Sequence, residues 1–129
     1  MKPQEYGIRT LSMLRHLGLR DWRVRLIPVF KDCPDIAGYC HWAHRAIELN
    51  TGVLCDADDA HIRRVVFHEV AHALLGEQEA HSPKFWQTVR TLEACPDAAQ
   101  AWNTLPAFKV CARTLESKKS NETQVNNVS

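Results

Sequence analysis

The pentapeptide His68-Glu69-Val70-Ala71-His72 restricts the fold of this 129-residue chain more than any other feature. It lies in an apolar run, after Val65-Val66-Phe67 and before Ala73-Leu74-Leu75. On a helix turning roughly 100° per residue, the two histidines are about 40° apart and one turn along. Both imidazoles can reach one metal ion, with Glu69 beside them. The neighbouring Val, Leu and Phe predict a helix buried over most of its circumference. Burying two imidazoles and a carboxylate is costly unless something compensates. A divalent cation does so, by taking the imidazole lone pairs and offsetting the carboxylate charge. The spacing is that of HExxH, a zinc-binding helix pattern.

The segments around this helix are mixed α and β. Residues 4–17 have helical spacing, with Leu11, Leu14 and Leu17 on one side and Gly18 as a stop. Residues 22–30 read as a strand with Trp22, Val24 and Leu26 inward and Arg23 and Arg25 outward. Pro28 suggests an edge or a bulge. Residues 37–50 read as two short strands around a turn near Ala43–Arg45. Carboxylates at Asp56, Asp58 and Asp59 open the metal helix, and Gly76 ends it. Ser82-Pro83 caps a further helix to about residue 94. A last helical stretch runs from Pro96 toward Leu105. From Ser117 onward the chain is polar. We expect a single domain over 1–115 and a disordered tail over 116–129.

Composition excludes several classes. No stretch approaches a membrane span, and Met1–Thr10 lacks the apolar segment of a signal peptide. A cytoplasmic protein is expected, with nucleoid or nuclear association open. Cys33, Cys40, Cys55, Cys95 and Cys111 form no CxxC pair, so neither a zinc ribbon nor a thioredoxin-type site is indicated. Buried thiols are expected. The net charge is +1, but residues 1–31 carry seven Lys and Arg against Glu5 and Asp21, leaving −4 for the rest. This basic third could touch a DNA backbone, although solvated faces are the simpler reading. His16 and His61 are expected on exposed helix faces. The four tryptophans are expected to anchor the core or its rim.

A catalytic zinc takes three protein ligands, and HExxH supplies two. His81 precedes a capped helix, so a chain turning back after Gly76 could bring its imidazole over the metal. Glu93 suits an arrangement in which a second helix presents a carboxylate. Glu77 and Glu79 lie in the connecting loop. Leu75 stands where the extended HExxHxxGxxH pattern needs glycine.

The segment His81-Ser82-Pro83-Lys84-Phe85-Trp86 makes a family resemblance specific. HEVAHALLG, a short loop and then HSPKFW resemble the SprT-like metallopeptidases, which include the Spartan proteases. Ala37-Gly38 and Ala46–Asn50 are similar to the β segment before the metal helix in that family. The resemblance covers roughly residues 5–95. It implies that His68, His72 and His81 hold Zn2+ and that Glu69 is the general base of peptide hydrolysis. It also implies a zincin-like α+β fold, with a small antiparallel sheet packed on the metal helix. Cys95 and Cys111 alone cannot form the zinc ribbon many members carry, so a minimal version of the family is expected. The expected partner is a protein or peptide, paired by strand addition near Cys40–Trp42 or Ile47–Leu49. Tyr39, His41, His44 and Arg45 are candidates for stabilising the oxyanion. A regulatory peptidase with one target, like the ImmA/IrrE group, and a non-catalytic zinc module are the alternatives. Glu69 argues against the latter, because a structural site needs no carboxylate beside its ligands.

Overall fold

A computed structural model describes residues 1–103 and the backbone of 115–117. Helix α1 (Pro3–His16) leads into strand β1 (Arg23–Ile27), and the hairpin of β2 (Gly38–His41) and β3 (Ala46–Asn50) follows. A short helix α2 (Thr51–Leu54) precedes the metal helix α3 (Asp59–Leu75). After a 3-10 turn at Glu77–Glu79 come α4 (Pro83–Ala94), α5 (Pro96–Asn103) and strand β4 (Leu115–Ser117). The domain boundary expected after residue 115 falls inside β4. Residues 118–129, the rest of the expected tail, lie outside the described residues.

The class is α+β, but the sheet is mixed rather than antiparallel. Its order is β2-β3-β1-β4. Among the described residues, only β2 and β3 pair antiparallel; β1 runs parallel to β3 and to β4. Alternation sets which face a side chain takes, not which strand becomes the neighbour. The hairpin enters with β3, rather than β2, against β1, and this makes the β1–β3 pair parallel. Pro28 follows β1 and removes no ladder bond, so β1 occupies an interior place in the sheet.

One sheet face carries the main core. Val24 and Leu26, Cys40, and Ile47 and Leu49 meet Val66, Val70 and other residues of α3 there. On the other face lies a buried charge that alternation did not reveal. Glu48 is fully buried. It pairs in register with Arg25 and Tyr39 and sits 3.4 Å from the Arg25 guanidinium. Arg25 was expected in solvent; its side chain instead lies on this face against Glu48, which offsets the cost of burying the carboxylate.

The helices begin and end where local chemistry dictates. Asp58 caps α3 by accepting from the His61 amide at 2.8 Å. Gly76 ends it at φ 85°, a conformation that suits glycine. Ser82 caps α4 by accepting from Phe85 N–H at 3.1 Å. Asn50 is an unexpected node. Its buried side chain caps α2 and donates to the carbonyls of Pro34 and Ile36, both at 3.0 Å, fixing the loop before β2. Trp42, in the hairpin turn, donates from Nε1 to the His72 carbonyl at 2.8 Å.

Several N-terminal cations are already engaged within the domain. Arg15 donates to the carbonyls of Arg20 and Trp22, and Arg9 to that of Trp102. The DNA expectation gains no support from this arrangement. Cys40 is buried as expected, but Cys55 is exposed and its thiol donates to the Gly52 carbonyl. Among the described residues, no helix is long and apolar enough to cross a membrane.

Candidate metal centre

Helix α3 carries His68, Glu69 and His72 on the side facing the sheet edge and α4. His72 and Glu69 are each 1% exposed, and His68 is half-buried. The chain leaves α3 at Gly76, makes the 3-10 turn and swings His81 back over the helix. His81 takes φ 58°, a left-handed conformation rarely adopted by side-chain-bearing residues. Such strain persists where the surroundings over-determine it, and it clusters at functional sites. Here Ser82 holds the turn, its N–H donating to the Glu79 carbonyl and its hydroxyl to the Glu79 carboxylate.

The result is one cluster. The nitrogens of His68, His72 and His81 lie within 4.8 Å of one another and could hold a metal ion. The Nε2 atoms of His68 and His81 are 3.2 Å apart. Two nitrogens bound to one tetrahedral zinc at 2.0–2.1 Å stand about 3.3 Å apart, so this pair needs almost no adjustment. Both ring nitrogens of His72 are buried without a hydrogen-bond partner. An orphaned buried imidazole is costly, and a metal ion at this position would satisfy it. Three neutral imidazoles suit zinc among the common divalent ions.

Electrostatics agree with ligation. Burial first, then the neighbouring His68 and His81, push the His72 pKa down to about 3. Its lone pair is therefore free at neutral pH, and binding a metal there displaces no proton. Burial, and then the nearby Glu69 carboxylate, push the Cys40 thiol far up, so it remains protonated beside the site. Cys40 is thus poorly suited to act as a thiolate ligand or nucleophile.

Aromatic rings wall the cluster. Phe85 is fully buried, and its ring centre lies 4.3 Å from that of His72, 4.9 Å from His68 and 5.3 Å from His81. Trp86 is 44% exposed and stacks on His81 at 5.8 Å. Trp42 meets His72 edge-on at 5.5 Å. Along the other side of Glu69 runs a cleft of about 390 Å³, lined by Ile36, Ala37 and Gly38 on one wall and Val65, His68 and Glu69 on the other, with Asp35 and Arg64 also bordering it.

Of the four third-ligand candidates, the histidine cluster includes only His81. Glu93 instead borders Ala60, Arg63 and Arg64 near the start of α3. Glu77 and Glu79 stay in the turn, where Glu79 holds Ser82. His41 and His44 stack on each other at 4.7 Å in the hairpin, and His41 Nε2 lies 3.9 Å from Glu48. Among the oxyanion candidates, Arg45 pairs with Asp21 at 2.8 Å, and Tyr39 and His41 lie on the sheet face opposite α3. Sequence reasoning missed Asn50 as the residue that fixes the cleft wall. Its position directly after a strand and before Thr51-Gly52 was a capping signal that could have marked it.

The described residues thus form an α+β domain with a three-histidine cluster that could hold a metal ion and a buried glutamate next to it in sequence. The sequence model of the SprT-like family matches residues 20–114, and the chain belongs to that family. The family is associated with zinc metallopeptidases, which suggests a metallopeptidase-related function. No curated protein matches the chain closely enough to be reported as a relative.

Proposed function

We propose that this chain is a zinc-dependent metalloendopeptidase acting on extended protein segments. The observation that carries this reading is the placement of Glu69, buried beside the histidine cluster and lining the same cleft as His68. His68, His72 and His81 would hold the ion. When bound, zinc would polarise the scissile carbonyl and acidify water. Glu69 takes the proton of the attacking water at a carboxylate oxygen. It then delivers that proton to the amine nitrogen as the C–N bond breaks.

Among the described residues, strand β2 has a neighbour on one side only, and its start at Gly38 lines the cleft. An extended substrate backbone can add to this edge, with Gly38–His41 supplying main-chain groups. The other expected docking strand, Ile47–Leu49, sits between β2 and β1 and has no edge to offer.

The test is zinc content and turnover together. Protein purified without chelator should carry about one zinc per chain. Glu69→Gln should keep that zinc and lose at least about 100-fold in hydrolysis of an unfolded protein substrate. Metal-free protein would sink the reading, and undiminished turnover by the variant would remove Glu69 as base. Zinc-loaded protein inactive on generic substrates would favour a peptidase restricted to one target.

A further inference from the structure

We propose that Gly38 is a positioning residue for Glu69, and that the missing side chain at this strand position is what seats the carboxylate in the cleft wall. The inference rests on the reading of Glu69 as general base.

A Cβ at position 38 would lie 3.0 Å from Cγ of Glu69, 3.2 Å from its Oε2 and 3.3 Å from Cγ1 of Val65. Ordinary carbon–carbon contacts are about 3.5–4.0 Å. Even a methyl group would therefore require Glu69 to give by a few tenths of an ångström. Backbone freedom does not explain this glycine. Positive φ among the described glycines occurs at Gly18 and Gly76, not at Gly38. What position 38 needs is space.

The displacement has a direction. Gly38 is itself buried on the first residue of β2, and Glu69 projects from a helix turn that is buried on both sides. Val65 stands one turn earlier and borders the same contact. The open volume next to Glu69 is the cleft that both residues line. A side chain at 38 would tip the carboxylate into that cleft and away from its seat. The three atoms nearest the added carbon belong to Glu69 and Val65, not to a histidine. The metal site should therefore survive while the base is misplaced.

The experiment compares Gly38→Ala, Glu69→Gln and the double variant, each loaded with zinc. Gly38→Ala should keep zinc affinity and KM within about threefold of wild type and lose about tenfold in kcat, short of the ~100-fold of a full 1 Å misplacement. The double variant should be no slower than Glu69→Gln, because Gly38 acts through that carboxylate. A crystal structure of Gly38→Ala should show the Glu69 carboxylate displaced by a few tenths of an ångström. Unchanged kcat, a rise in KM alone, lost zinc affinity, or the same factor lost again in the Glu69→Gln background would each overturn the proposal. If Gly38→Ala does not fold, Gly38→Ala/Val65→Ala relieves the 3.3 Å contact and carries the same comparison. If wild-type protein hydrolyses no peptide, the peptidase reading fails by itself. The position of Glu69 in the variant crystal then still decides the role of Gly38.

Discussion

Phe85 touches all three histidines, so replacing it by leucine tests whether the aromatic wall organises the metal site or merely fills the core. The ring is fully buried. Leucine keeps much of its bulk but removes the flat surface against His72, His68 and His81. Full truncation of a buried phenylalanine costs about 3–5 kcal/mol. Leucine should cost about 1–2 kcal/mol, lowering Tm by about 4–8 °C for a domain of this size. The effect on the site is separate. If each of three imidazoles regains about 0.5 kcal/mol of rotamer freedom, ligation must work against about 1.5 kcal/mol more. That weakens zinc binding roughly tenfold, at the lower end of the effect of losing a ligand's outer support. The assay is zinc titration against a chromophoric chelator at pH 7, with thermal melts of chelated and zinc-loaded protein. A lower Tm with zinc affinity unchanged within about twofold would refute the reasoning. Phe85 would then be core alone.

Two further outcomes follow from the same cluster. His72 is buried with a folded pKa near 3 against an ordinary value of 6.5. A depressed histidine pKa contributes stability that is present above pH 6.5 and lost as pH falls toward 3. Chelated protein should therefore lose about 2 kcal/mol between pH 7 and pH 5 by urea unfolding, and equal stability at the two pH values would contradict a buried neutral His72. His81→Ala should weaken zinc binding by at least about 100-fold and Glu93→Ala by less than about threefold. The reverse order would transfer the third ligand to α4.

Much of the site was legible because its determinants are local. Helical spacing places His68 and His72 one turn apart, and the same apolar run that predicts burial pointed to a metal as the compensating partner. Asp58, Gly76 and Ser82 cap or stop their helices through short-range bonds, so the ends of α3 and the start of α4 follow from composition. The approach of His81 was less legible. Two residues with positive φ, Gly76 and His81, turn the chain back; the sequence left such a return open among four candidates, and the Ser82-Pro83-Lys84-Phe85-Trp86 resemblance singled out His81. Sheet pairing was legible for the β2–β3 hairpin and not beyond it. Period-two alternation in 22–30 and 46–50 is the same for parallel and antiparallel neighbours. Glu48 was hidden for a related reason. Alternation assigns it to a face, and whether that face is wet depends on what the rest of the chain lays over it. Gly38 escaped notice because its importance is a distance to a side chain 31 positions away.

The hydrogen bond from Trp42 to the His72 carbonyl gives the fold a mechanical property. It joins the tip of the hairpin to the last turn of the metal helix, while Asn50 ties down the loop at the hairpin's other end. The strand edge and the ligand-bearing turn are thus clamped at two points, with the cleft between them. The loop that walls the cleft and the turn of α3 that carries His72 are each held by a side-chain hydrogen bond from the hairpin's own ends.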